Sequence, residues 1–179
     1  TKVKHSLGAS AYNDRRMSCE EGVSVLKKQF PHIQALRDAD LVSLEKVRSQ
    51  LSEDTFVKCQ FVINEIDRTK QAAKFLKEHN LSGFGQLMFQ SHWGLSKGYD
   101  VSCAESDLLV AIAQEEPNSV LGARQVGGGF GGCTINLIKR ESVEDFSEKV
   151  KKKYVATFKK EPDFYSIKPS QGVHQISNS

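Results

Sequence analysis

No stretch of the 179-residue chain approaches the roughly 20 apolar residues that a membrane-spanning helix needs, so no membrane segment is expected. No charged-then-apolar secretory leader opens it. The first residue is Thr1 rather than methionine, and the expectation is a piece processed or cut from a longer protein. Cysteine is sparse: Cys19, Cys59, Cys103 and Cys133 form no C-x-x-C pair. That argues against a disulfide framework and a zinc site, and for reduced thiols in a cytoplasmic protein. The histidines (His5, His32, His79, His92 and His174) are scattered, with no H-x-x-x-H or H-E-x-x-H spacing, so no metal ligand is expected. One-signed charge is lacking too. A net charge of +3 is too mild for a nucleic-acid binder. The densest basic cluster, Lys149, Lys151, Lys152 and Lys153, falls in a helical pattern and reads as a solvated helix face rather than a partner site. There is no internal repeat and no low-complexity tract.

What is present suits one sizeable soluble domain, or a domain plus an arm, because 39% hydrophobic residues can build a core and 26% charged residues can cover it. The first two-thirds reads helical. Tyr12, Cys19, Val23, Leu26 and Phe30 mark one face of a helix over 11–30, closed by Pro31. Asp40 is the expected N-cap of a short helix bearing Leu41, Leu44, Val47 and Leu51. Ser52 precedes a long helix to Glu78 carrying Phe56, Cys59, Ile63, Ile66, Ala73 and Leu76. Ser82 is the expected cap of the next, with Phe84, Leu87 and Met88, and Gly94 and Gly98 are expected to break it. Ser102 and Glu105 have capping-box spacing, predicting a helix over Ala104 to Gln114 that exits at Pro117-Asn118.

The last third changes character. Strands are predicted at Val120–Val126 and Cys133–Ile138, a helix after Ser142 with Val143, Phe146, Val150 and Tyr154, a strand at Asp163–Ile167, a turn at Ser170-Gln171-Gly172 and a strand at Val173–Ile176. Helix, strand, strand, helix, strand, strand is the order of a ferredoxin-like α+β layer, an antiparallel sheet with helices on one face. The expected organisation is an arm and first helix over 1–30, a helical part over 31–101 and a sheet-bearing part over 102–179.

Between the first two strands lies Gly127-Gly128-Gly129-Phe130-Gly131-Gly132. Gly127, Gly129 and Gly132 satisfy G-x-G-x-x-G, but that fingerprint needs a helix after it and an acidic residue about 20 positions on, whereas a strand follows here. No Gly-Lys-Ser/Thr ends the run, which excludes the P-loop. Two roles remain open. Glycines let backbone N–H groups approach an anion as a nest. They also make turns. Five ordered glycines cost more entropy than a plain hairpin needs, which favours a ligand-contacting loop.

The stretch Gly122-Ala123-Arg124-Gln125-Val126 through the glycines to Cys133-Thr134 resembles the third motif of galactokinases, in the GHMP small-molecule kinase superfamily. Val3-Lys4-His5-Ser6-Leu7, Tyr12-Asn13-Asp14-Arg15-Arg16 and Cys19-Glu20-Glu21 resemble the family's segment just after its N-terminal domain. Ser91-His92 and Tyr99-Asp100-Val101-Ser102-Cys103 are similar to a further stretch, so the resemblance covers nearly the whole chain. It implies transfer of the ATP γ-phosphate, with magnesium, to the anomeric hydroxyl of galactose, giving galactose 1-phosphate. It implies that Tyr12 contacts the sugar, although its helical spacing alone reads as an apolar-face tyrosine. It implies that Gly127, Gly128, Gly129, Gly131 and Gly132 border the cleft where sugar and phosphates meet. Arg15 and Arg16 are read as helix braces, Arg16 with Glu20 at i,i+4. Three positions depart from the family pattern: Val126 stands where threonine is common, Ala104 where proline is, and Ser106 where leucine is. A threonine's polar contact is therefore not carried to Val126.

The family's N-terminal domain holds the sugar-recognition Glu, His and Asp, the phosphate loop, and the aspartate and arginine of the chemical step. None of those motifs occurs here. No catalytic residue and no metal ligand is assigned to this chain. Alone it is expected neither to phosphorylate galactose nor to bind ATP tightly. An N-acetylgalactosamine kinase and a non-catalytic galactose sensor of the same fold remain alternative readings.

Overall fold

A computed structural model describes residues 1–3, 8–168 and 172. Helix α1 spans Gly8–Gln29, α2 Leu41–Lys46, α3 Glu53–Lys77, α4 Leu81–Lys97 and α5 Ala104–Gln114. Strands β1 (Val120–Val126) and β2 (Cys133–Ile138) follow, then α6 (Val143–Phe158). Short 3-10 turns lie at Leu36–Asp38, Arg48–Gln50 and Arg140–Ser142. This set of helices with an antiparallel strand pair is the α+β class read from the sequence, with the helical segment leading.

Local chemistry sets most helix starts. Asp40 accepts the N–H of Ser43 at 2.7 Å, and Ser52 accepts that of Thr55 at 3.0 Å, each filling an otherwise orphaned donor. Glu53 and Asp54 in the first turn of α3 suit the positive end of its dipole. Three expectations need correction. Helix α4 is capped by Asn80, which accepts from Gly83 N–H at 2.8 Å, not by Ser82, which already lies inside the helix. Gly94 does not break α4. It makes room for the ring of Phe61, which a Cβ there would meet at 2.7 Å, and Gly98 ends the helix by bonding back to Gly94 O at 3.0 Å. The Ser102–Glu105 box does not form: Cys103 holds the N-cap position, and Ser102 Oγ turns to Asp107 Oδ1 at 2.5 Å.

Two apolar clusters hold the elements. Leu26 from α1, Ile33, Leu36, Leu44 and Val47 gather on Phe56, Cys59 and Ile63 of α3. Phe89 from α4, Leu109, Val110, Ile112 and Ala113 from α5, Val120 and Ala123 from β1, and Phe146, Val150 and Tyr154 from α6 form the second. Helix α3 packs on α4, and α4 lies across β1. That crossing is made by two glycines. A Cβ on Gly85 would stand 2.0 Å from Leu121 O, and one on Gly122 would stand 2.4 Å from the Cα of Gly85.

The strands pair antiparallel from Val126↔Cys133 to Val120↔Ile138, with an irregularity at Leu121 between Val120 and Gly122. This is a β-bulge, one extra residue on β1. The predicted bounds of β1 and β2 match the structure. The strand expected at Asp163–Ile167 does not form. A strand needs a partner's ladder, and β1 and β2 pair only with each other among the described residues. Phe164, Tyr165 and Ile167 are exposed, and Asp163 pairs with Lys2 at 3.0 Å instead. The strand expected at Val173–Ile176 and most of the turn before it lie outside the described residues. The lysine cluster on α6 is an ion-paired surface: Lys149 meets Glu116, Lys153 meets Glu115 and Lys151 meets Glu161. Exposed pairs of this kind each add little stability. No helix among the described residues is long and apolar enough to cross a membrane.

Candidate functional site

The glycine loop joins β1 to β2, and the chain around it explains most of its glycines. Gly127, Gly129, Gly131 and Gly132 have φ of +84°, +85°, +133° and +83°, a region that side-chain-bearing residues rarely occupy. Phe130 sits among them at +55°. A Cβ on Gly129 would stand 2.2 Å from Val101 O, and one on Gly131 would stand 2.9 Å from the Cβ of Val3. Gly127 and Gly128 face open space, with nothing within 4 Å of where a Cβ would stand. Of the loop's glycines, Gly128 alone has neither a left-handed φ nor a neighbour. The two roles left open by the sequence are therefore divided along the loop. Gly129 and Gly131 are glycines for the protein's own close packing, and Gly127 and Gly128 form a bare backbone rim.

The loop is clasped from three sides. Val101 O, in the link between α4 and α5, accepts Phe130 N–H at 2.8 Å and Gln125 Nε2 at 3.2 Å. Gln125 is buried on β1, and its own N–H donates to Nδ1 of the fully buried His92 at 3.2 Å. His92 Nε2 faces Asp107 Oδ1 at 3.2 Å without an aligned hydrogen bond. Burial pulls the His92 pKa below its usual value, outweighing the nearby Asp107 carboxylate, so the ring is neutral and Nδ1 is an acceptor. On the second side Thr1 N donates to Gly132 O at 2.8 Å, and Tyr154 Oη donates to Thr1 O at 2.7 Å, tying residues 1–3 to α6.

Arg15 closes the third side. From α1 its Nε donates to Tyr99 O at 3.1 Å, and its Nη2 donates to Asp100 O at 2.7 Å and pairs with Asp100 Oδ2 at 3.0 Å. The guanidinium carbon lies 6.0 Å from the centre of the Phe130 ring. Asp100 itself has φ +53°. Arg15 is thus a cross-chain clamp, not the helix brace read from the sequence, whereas Arg16 does pair with Glu20 at 2.7 Å. The side chain of Arg15 is only 13% exposed. Arg15→Ala is expected to destabilise the protein by about 2 kcal/mol, since charge-assisted bonds are each worth about 1.5–3 kcal/mol. A lower urea midpoint with an unchanged slope would register it.

Tyr12 lies about one turn before Arg15 on α1 and is 65% exposed. It does not share the buried face that its spacing with Leu26 suggests. Tyr12 and the rim at Gly127–Gly128 are thus linked through Arg15 and residues 99–101. Val126, at the edge of the loop, is exposed and offers no polar group. The sequence did not single out Val101, Gln125 or Asp107. The stretches Ser91-His92 and Tyr99–Cys103, which carry part of the family resemblance, are the ones that reach the loop from behind. The segment 4–7 lies outside the described residues. Among the described residues, no group of three or more His, Cys, Asp or Glu converges to hold a metal ion.

The loop is thus a bare glycine rim at the end of a β-hairpin, backed by helices and braced by an arginine. The family described as GHMP kinases C terminal matches residues 72–156. The chain is 38% identical over 177 residues to a galactokinase of Clostridium beijerinckii, covering 98% of this chain and 45% of that protein. It is 40% identical over 157 residues to a galactokinase of Bos taurus, covering 88% of this chain and 38% of that one. The crystal structure of Lactococcus lactis galactokinase complexed with galactose superposes with a TM-score of 0.85 at 30% identity, over 92% of this chain and 42% of that one. Over nearly its whole length the chain is similar to part of these galactokinases. It spans less than half the length of the relatives it matches.

Proposed function

We propose that this chain forms one wall of a galactokinase active site, in a protein that transfers the γ-phosphoryl group of ATP to the anomeric hydroxyl of galactose, giving galactose 1-phosphate. One observation carries the reading: Gly128 has no internal reason to be glycine, so its bareness is for something outside the chain. In this reading the backbone N–H groups of Gly127 and Gly128 approach the charge on the sugar and phosphates, and the clamp of Val101, Gln125 and Arg15 holds them in place. Preorganised donors of this kind stabilise developing charge because they need no rearrangement during the reaction. Tyr12 presents its hydroxyl to the sugar. Magnesium arrives with the nucleotide, and no residue of this chain is assigned to it. The catalytic base is assigned to the remaining part of the protein. Residues 1–30 form the arm and first helix, 31–101 the helical part, and 102–179 the sheet-bearing part. The four free thiols suit a cytoplasmic setting.

The test is galactose-dependent ADP production by the intact protein. ADP formation with galactose is the expected result. Formation only with N-acetylgalactosamine would reassign the substrate, and sugar binding without ADP would make the protein a sensor. The 179-residue chain alone is expected to produce none. In the intact protein, Gly128→Ala is expected to leave stability unchanged or raised by about 0.5 kcal/mol, since alanine loses less entropy on folding. The same variant is expected to lower kcat/KM roughly tenfold or more, because the added methyl group holds the reacting groups away from the rim. A fully active Gly128→Ala enzyme would sink the rim assignment.

A further inference from the structure

Two cysteines far apart in sequence meet between α1 and α3, away from the glycine loop. Cys59 is fully buried. Its sulfur lies on the backbone of α1, 3.8 Å from Ser18 O and 2.2 Å from where a Cβ on Gly22 would be. Gly22 is what lets that sulfur reach α1. Cys19 lies one turn before Gly22 on the same side of α1, is half-buried, and packs against the cluster that holds Cys59. Its sulfur also lies 3.8 Å from the hydroxyl of Tyr99. Two small buried sulfurs could be core filling and nothing more.

The polar surroundings are those of a reactive thiol rather than of filling. The Cys19 pKa is pulled down to about 7, chiefly by the neighbouring Cys59 thiol, with further help from Tyr99 and the charge of Lys58, against desolvation and Glu20. The same contact and burial push the Cys59 thiol up. The pair is thus biased toward ionisation at Cys19 rather than Cys59. A thiolate with some exposure is the form that reacts with oxidants, and a second cysteine in contact resolves the product.

We propose that Cys19 and Cys59 are a peroxide-oxidised pair that closes a reversible disulfide between α1 and α3. The Cys19 thiolate attacks one oxygen of hydrogen peroxide, the O–O bond breaks, and the departing hydroxide takes a proton to become water. The sulfur of Cys59 then attacks the sulfur of the Cys19 sulfenic acid. The S–O bond breaks, and its oxygen leaves as water with the proton from Cys59. Two thiols are oxidised and one peroxide is reduced to two waters. The chemistry is independent of the kinase reading. Its consequence is not: closing the bond draws the Cys19 sulfur off Tyr99, whose carbonyl anchors Arg15 beside the glycine loop.

The experiment uses the intact protein with Cys133→Ser, which removes the exposed thiol. The protein is treated with a few equivalents of hydrogen peroxide, blocked with N-ethylmaleimide and digested. Trypsin cuts after Arg16 and after Lys58, so the two cysteines leave in separate peptides. The expected product is those two peptides linked, two hydrogens lighter than their sum, and separated again by dithiothreitol. Before oxidation, iodoacetamide should label Cys19 with a pH midpoint near 7, about tenfold faster at neutral pH than it labels Cys59. Recovery of Cys19 and Cys59 both as maleimide adducts after peroxide would overturn the proposal. So would Cys19 oxidised to the sulfinic acid without a link, or linked to any other cysteine. Unchanged galactose turnover in the cross-linked protein would overturn the coupling to the loop while leaving the disulfide standing.

Discussion

Gly129→Ala is expected to cost the intact protein roughly a hundredfold in kcat/KM, the scale on which a displacement of about 1 Å acts on positioned reactants. The position is hostile to a side chain twice over. Its φ of +85° costs an L-residue about 1–2 kcal/mol. Its Cβ would then stand 2.2 Å from Val101 O. That carbonyl cannot swing aside freely, because it accepts both Phe130 N–H and Gln125 Nε2. Moving it gives up two hydrogen bonds worth about 1 kcal/mol each. The cheaper escape is for the loop to leave, which carries Gly127 and Gly128 with it. Stability should fall by about 3–4 kcal/mol, the sum of the backbone strain and the two lost bonds. Steady-state kinetics beside a thermal melt would separate the two effects. Activity like that of the parent would mean that the loop's exact placement does not matter. Paired with Gly128→Ala, the variant distinguishes glycine kept for packing from glycine kept for a ligand.

Gly85→Ala is expected to be the most damaging small substitution for the fold. In a helix interior, alanine should gain about 1 kcal/mol over glycine. Here that gain is overwhelmed. The added Cβ would lie 2.0 Å from Leu121 O, 2.4 Å from Leu121 C and 3.0 Å from Gly122 N, all backbone atoms of a paired strand. Nothing there can rotate away, so α4 must lift off β1 and open the cluster around Phe89 and Ala123. Overpacking of this kind costs about 1–3 kcal/mol or more, and contact with rigid backbone places this case at the upper end. A net loss of about 3 kcal/mol would lower the melting temperature by roughly 6–12 °C in a domain of this size. A Gly85→Ala protein that melts with the parent would contradict the close crossing of α4 and β1.

Elements specified by local signals were legible in the sequence. The bounds of α5, β1 and β2 follow from apolar periodicity, alternation and the glycine punctuation between the strands. Asp40 and Ser52 were legible as caps because a cap is decided within four residues. Features set by distant contact were not. Gly94 looked like a breaker until the Phe61 ring filled its side. Arg15 looked like a partner for its own helix, but its acceptors are 84 and 85 residues away. The residues at Asp163–Ile167 read as a strand, yet the sequence of a segment supplies no partner to bond with. The glycine loop was found by composition and its family by resemblance. The division of labour among its glycines needed Val101 and Val3 beside them.

The bulge at Leu121 decides which residue faces inward at the loop. In an unbroken strand Val120, Gly122, Arg124 and Val126 would share one face. The extra residue shifts the parity, so the interior receives Val120, then Ala123 and Gln125, while Arg124 is turned toward Glu65. A neutral amide thereby meets the carbonyl of Val101 in a buried space. Were Leu121 paired in regular register, keeping Val120 inward would turn the charge of Arg124 inward and the amide of Gln125 out. The chemistry of the glycine rim thus depends on an odd or even count, one residue at the far end of the strand.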